Sequence, residues 1–120
     1  MNNRAIKIGI AGLGTVGSGV INLLKKNSEE ISKRSGFEIK LVCVSASDKT
    51  KKRICDISGL RFYSDPIEML DKETIDIFIE LVGGETISKD LVTKALKNNI
   101  HVVTANKALI ALHGNEISKI

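Results

Sequence analysis

The stretch Ile6-Lys7-Ile8-Gly9-Ile10-Ala11-Gly12-Leu13-Gly14-Thr15-Val16-Gly17 decides how the chain is read. An apolar, β-branched run climbs to a glycine triplet, and helical periodicity begins directly after it. Gly12, Gly14 and Gly17 fit the spacing G-x-G-x-x-G at a strand-to-helix junction, where a dinucleotide pyrophosphate can sit. The first glycine permits a tight turn, the second lets phosphates approach the backbone, and the third lets helix and strand pack closely. N–H groups at the helix start then point at the anion, and the Thr15 hydroxyl and the Thr15 and Val16 amides are within its reach. Glycine-rich strand ends also serve as plain tight turns, and Thr15 could equally be a helix N-cap. A strand before and a helix after are the context that the nucleotide reading requires.

Working outward, residues 5–11 form a near-continuous apolar run, the pattern of a central parallel strand covered on both faces. Val16, Val20, Leu23 and Leu24 then recur at helical spacing and predict one stripe facing a sheet. The helix continues, or restarts after Asn27-Ser28, until Gly36 ends it. Residues 38–44 read as a second strand and 60–63 as a short edge strand. Asp65 as N-cap, Pro66 in the first turn and Glu68 three residues on mark a short helix ending near residues 70–72. Residues 75–82 form a further strand, stopped by Gly83-Gly84. Ile87, Leu91, Val92, Ala95 and Leu96 form the next helical stripe, terminated at Asn98-Asn99. Residues 100–103 are another strand, followed by the loop Thr104-Ala105-Asn106-Lys107 and a helix over 108–112 ended by Gly114.

Strands alternating with helices in this way predict an α/β fold, a Rossmann-type doubly wound parallel sheet in the order 3-2-1-4-5. At 120 residues and 13.0 kDa the chain is one domain. Ligands of such sheets bind beyond the carboxyl ends of the strands, so residues 12–16, 45–48, 80–84 and 104–107 should converge on one crevice.

Composition narrows the partners. The net charge of +4 invites nucleic acid, but aromatics at 3% leave almost no stacking platforms for single strands. The basic residues are scattered apart from Lys49, Lys51, Lys52 and Arg53. No apolar run approaches the roughly 20 residues that span a bilayer, and no signal peptide is visible. No nucleic acid, no membrane and a cytoplasmic location are the expectations. Cys43 and Cys55 match no metal spacing, and no metal is expected. Cys43 reads as core filler, and a reducing compartment would leave both cysteines as thiols.

Four features carry chemistry. After the second strand, an acid selects the free ribose of NAD, whereas small polar or basic residues admit the 2′-phosphate of NADP. Ser45-Ala46-Ser47 with the following lysines favours NADP, while Asp48 argues for NAD. Gly83-Gly84, after a buried strand, either lets a flat ring approach the backbone closely or makes a simple turn, and Glu80 before it is either a helix or loop orienter or the last polar residue of the strand. Lys107 stands at a helix start, where the positive end of the dipole disfavours a cation. It is therefore a candidate for holding an oxygen or exchanging a proton with a carbonyl. His101 and His113 have no partner at a telling spacing and read as structural.

Three blocks together carry a resemblance: Gly12-Leu13-Gly14-Thr15-Val16-Gly17-Ser18-Gly19, Glu80-Leu81-Val82-Gly83-Gly84, and Val102-Val103-Thr104-Ala105-Asn106-Lys107-Ala108-Leu109. In order and spacing the chain resembles homoserine dehydrogenase, and the third block is the specific one. The resemblance implies NAD(P)-dependent interconversion of L-homoserine and L-aspartate 4-semialdehyde, in the biosynthesis of threonine, isoleucine and methionine. It implies that Leu13, Thr15 and Val16 contact cofactor phosphate, that Thr104 lies against the nicotinamide side, and that Lys107 assists proton transfer at the reacting centre. Many members carry an arginine just after the second strand, and Ser47 occupies that place, which weakens the expectation of NADP. The family's chains are much longer, so the second, substrate-binding and dimerising domain is expected after Ile120. On that expectation this chain is an isolated cofactor domain with little or no turnover, and the full-length enzyme is a homodimer. Another aspartate-handling dehydrogenase and a non-catalytic nucleotide-sensing module are the alternatives.

Overall fold

The computed structural model describes residues 5–47, 57–82 and 85–104. Among the described residues, five strands and three helices follow in the order β1 (Ala5–Ala11), α1 (Thr15–Ser35), β2 (Glu38–Ser45), β3 (Arg61–Tyr63), α2 (Pro66–Lys72), β4 (Ile77–Glu80), α3 (Glu85–Lys97) and β5 (His101–Thr104). All pairings are parallel, and the strand order is β3-β2-β1-β4-β5. Fold class and strand order match the sequence reading. The helix expected over 108–112 lies outside the described residues.

Strand alternation divides the core into two layers. Ile8 and Ile10 of β1 and Val44 of β2 point to one face, where they meet Leu13 and Ile21 beneath α1. Ala11, Cys43 and Phe78 point to the other, against Met69 and Leu70 of α2 and Leu91 and Ala95 of α3. Phe78, Ile10, Ile21, Met69 and Leu91 are completely buried, each contributing roughly 1.5–3 kcal/mol of apolar transfer. β1 is covered on both faces, which is why its sequence is almost continuously apolar.

Two stripes are phased differently from the hydropathy pattern. In α1 the buried residues are Gly17, Ser18 and Ile21, while Val16 and Leu23 are 63% and 60% exposed. The buried face begins with a glycine and a serine, which pack against Gly12 and Leu13 in the turn after β1. In α3, Ser88, Leu91, Val92 and Ala95 are buried and Ile87 is exposed. β4 is also shorter than the expected run over 75–82, because its ladder to β1 ends at Ala11↔Glu80.

Helix ends follow local chemistry. α1 runs unbroken and stops at Gly36, whose φ of 78° lets its N–H return to the Ser32 carbonyl at 3.0 Å. Asp65 caps α2 by accepting the Ile67 N–H at 2.9 Å. α3 ends in a Schellman turn: Asn99 has φ 60°, Ile100 N–H donates to the Ala95 carbonyl, and Asn99 N–H donates to the Leu96 carbonyl.

The three-residue β3 is pinned by side chains. Arg61 donates to Glu73 through Nε at 2.6 Å and Nη2 at 2.5 Å, and the Tyr63 hydroxyl donates to the same carboxylate at 2.5 Å. These donors hold the Glu73 carboxyl below the usual range, with the Arg61 hydrogen bond the largest cause and burial opposing it. Burial, reinforced by the Glu73 charge, pushes the Cys43 thiol up to about 12.

Candidate functional site

The carboxyl ends of β1, β2, β3 and β4 surround a crevice of about 420 Å³. Its described lining comprises Gly12, Leu13 and Gly14 in the middle, with Ser45, Ala46, Ser47, Ser64 and Pro66 to one side. Leu81, Val82 and Ile87 lie to the other. Backbone hydrogen bonds tie these ends together: Gly12 N–H donates to the Ser45 carbonyl at 2.9 Å and Leu81 N–H to the Ala11 carbonyl at 2.8 Å. The floor is therefore a continuation of the sheet rather than a loose set of loops.

Two of the three glycines of the turn have a reason within the fold to be glycine. Gly12 has φ +101°, and a Cβ there would lie 2.7 Å from the Leu81 carbonyl carbon. Gly17 faces the Gly12 carbonyl oxygen so closely that a Cβ would overlap it. Gly14 is different. Its φ of −73° suits any residue, it is exposed, and a Cβ would meet nothing within 4 Å. No described protein contact requires a glycine at 14, whereas a ligand lying against the turn would.

Gly14, not Thr15, is the N-cap of α1, because its extended backbone precedes the first helical residue. It offers no side-chain cap, and the first intrahelical bond runs from Ser18 N–H to the Gly14 carbonyl at 2.9 Å. The amides of the first turn thus have no acceptor within the helix, the arrangement that receives an anion.

Two fully buried polar side chains shape the β4 side. Glu80 accepts the Val82 N–H on Oε2 at 2.7 Å and the Thr104 hydroxyl on Oε1 at 2.7 Å. Ser88 donates its hydroxyl to the Val82 carbonyl at 3.0 Å. Both main-chain groups of Val82, which lines the crevice, are held by buried side chains. Glu80 is thereby the orienter of the two alternatives open in the sequence.

Among the residues singled out from sequence, the crevice brings together Gly12, Leu13, Gly14 and Ser47. Gly17 supports the turn from beneath, and the Val16 side chain is exposed. Thr104 joins through Glu80. Gly83, Asp48, Lys49, Lys51, Lys52, Arg53 and Lys107 lie outside the described residues. Sequence reasoning passed over Ser64, Pro66 and Ile87. The rule that ligands sit beyond strand ends applied to β3 would have found Ser64, since it directly follows Tyr63. Ile87 was hidden by its place in an apolar stripe. Among the described residues no group of three or more His, Cys, Asp or Glu side chains could hold a metal ion. No helix among them is long and apolar enough to cross a membrane.

Residues 12–120 match the family described as the NAD-binding domain of homoserine dehydrogenase. The chain belongs to this family. It is 46% identical over 114 residues to the homoserine dehydrogenase of Pseudomonas aeruginosa, covering 95% of this chain and 26% of that protein. The crystal structure of Staphylococcus aureus homoserine dehydrogenase at pH 7.0 superposes with a TM-score of 0.87 at 36% identity, covering 96% of this chain and 29% of that one. That of Thiobacillus denitrificans gives 0.85 at 40% identity, covering 97% and 27%. This NAD-binding chain spans about a quarter of the length of the curated relatives it matches. The NAD(P)-binding role and the Rossmann-type sheet read from the sequence both agree with this family.

Proposed function

We propose that the chain forms the cofactor-binding part of an enzyme that interconverts L-homoserine and L-aspartate 4-semialdehyde, on the route to threonine, isoleucine and methionine. The observation that carries this reading is the crevice over Gly12 and Gly14, with an uncapped first turn of α1 at its centre and open space where a Gly14 side chain would project. A dinucleotide fits these residues. Its pyrophosphate would lie over Gly12, Leu13 and Gly14 toward the amides of Thr15, Val16 and Gly17. Its adenosine end would lie toward Ser45–Ser47 and Ser64, and its nicotinamide end toward Val82, Gly83 and Thr104. When bound, the nicotinamide ring supplies or accepts the hydride.

The residues of this chain bind, orient and move a proton. The exposed Ser47 lines the crevice, and a small polar side chain there supports acceptance of the 2′-phosphate of NADP. Lys107, three residues beyond Thr104, takes the proton from the substrate hydroxyl on oxidation and returns it to the carbonyl oxygen on reduction. We assign the rest of the substrate site and the dimer contacts to parts of the relatives that this chain does not match. The whole enzyme would be a homodimer working in the cytoplasm, with a small amino-acid substrate shared between domains.

Calorimetric titration with NADPH and NADH tests the assignment. Saturable binding of at least one is expected, with NADPH preferred. Absence of binding by either at millimolar concentration overturns it.

A further inference from the structure

The buried carboxyl group of Glu80 does something that packing alone does not ask of it. It occupies the last position of β4, is 0% exposed, and its two oxygens serve two different segments. Oε2 takes the Val82 N–H from the loop after β4, and Oε1 takes the Thr104 hydroxyl from the end of β5. Glu80 and Thr104 are register partners in the parallel ladder, so the bond crosses directly from strand to strand where the ladder stops. Ser88 completes the clamp by holding the Val82 carbonyl. A polar side chain with no exposure is costly to keep unless its hydrogen bonds are made, and here both oxygens are satisfied by groups at the crevice end of the sheet.

We propose that Glu80 is a positioning residue that ties Val82, in the crevice wall, to Thr104 at the end of β5, and thereby sets the fit of the nicotinamide end of the cofactor. The inference rests on the dinucleotide reading given above. Parallel strands without a common hydrogen-bonded ladder beyond their ends are free to splay, and the wall between them would otherwise be defined only by loop backbone. A single side chain bonded to both sides removes that freedom before the ligand arrives. Preorganisation of this kind raises affinity by cutting the ordering cost of binding. It acts on one end of the ligand, because the Ser45–Ser64 side of the crevice makes none of these bonds.

The test compares two probes that share the adenosine and pyrophosphate but differ in the ring: NADPH, and the corresponding 2′-phospho-ADP-ribose, which has no nicotinamide. Wild-type chain, Glu80→Ala and Glu80→Gln are titrated with each, and thermal unfolding is recorded alongside. Glu80→Ala should weaken NADPH binding about tenfold, the scale of one or two lost hydrogen bonds, while the affinity for the nicotinamide-free probe changes by less than about twofold. Glu80→Gln keeps an acceptor for the Val82 N–H and can donate its amide to the Thr104 oxygen, so NADPH affinity should return to within about threefold of wild type. Equal weakening of both probes, or no weakening of either, overturns the inference. If Glu80→Ala does not fold, Glu80→Asp carries the same comparison, because the shorter carboxylate cannot reach both the Val82 N–H and the Thr104 hydroxyl. Failure of the wild-type chain to bind either probe would instead overturn the dinucleotide reading itself.

Discussion

Gly17 packs against the main-chain carbonyl of Gly12, leaving no room for even one carbon between the first turn of α1 and the end of β1. The contact fixes the depth at which the helix seats on the sheet. It also aims the helix start over the crevice, since Gly12 is bonded in turn to the Ser45 carbonyl. Packing at this one point serves both the fold and the proposed anion site.

Gly17→Ala should therefore be severe. The obstacle is backbone, so no side-chain rotation relieves the overlap and α1 must move away from β1. Overpacking of a tight core costs about 1–3 kcal/mol, and a backbone clash stands at or beyond the top of that range. Urea unfolding should show a midpoint lowered accordingly, and dinucleotide binding should fall with it because the helix start is displaced.

Gly14→Ala should behave in the opposite way. Its φ of −73° is compatible with alanine and its Cβ would meet nothing within 4 Å. Stability should stay within about 1 kcal/mol of wild type, on the favourable side if the unfolded chain loses freedom. The added methyl group would nevertheless occupy the space the pyrophosphate is proposed to fill. Calorimetric titration should show at least a tenfold loss of dinucleotide affinity in a protein that melts normally.

The contrast between these two glycines marks how far the sequence could be read. Spacing identifies the motif, and the alternation of apolar runs predicts the sheet and its strand order, because β1 is almost continuously apolar and helical stripes separate most of the strands. Phase within the helices was less legible. Val16 and Leu23 are apolar yet exposed, because the buried face of α1 begins with Gly17 and Ser18, which hydropathy does not count. Ile87 belongs to the crevice although it continues a core stripe. The paired bonds of Glu80 depend on a register between β4 and β5 that periodicity cannot supply. Arg61, Tyr63 and Glu73 gave no local signal at all, since they meet only after the chain has crossed from β3 through α2.

Cys43 should be chemically silent in the native protein. It is fully buried in β2, and burial together with the nearby Glu73 charge pushes its thiol up to about 12. At pH 8 the thiolate fraction falls on the order of a thousandfold below that of an ordinary cysteine, and the thiolate is the reacting species. In a Cys55→Ser background, iodoacetamide should leave the folded chain unlabelled over hours, as read by intact mass. The same chain in denaturant should take up one label within minutes.

Glu73 should make stability fall with acid in a way its glutamine variant does not share. Its carboxyl titrates below the usual value in the folded chain, chiefly because Arg61 and Tyr63 donate to it. A depressed folded-state value means that the carboxylate form stabilises the fold. That contribution is complete above the ordinary glutamate value of about 4.3 and is lost as pH falls through the lower, folded-state value. Glu73→Gln removes the charge that Arg61 binds bidentately, so its melting temperature should lie below that of wild type at pH 7. The gap should persist down to about pH 5 and close progressively below about pH 4, where wild type is protonated as well. Circular-dichroism melts of both proteins across pH 3 to 7 measure this directly. A gap that stayed constant over the whole range would show that the cost of Glu73→Gln is one of shape rather than charge.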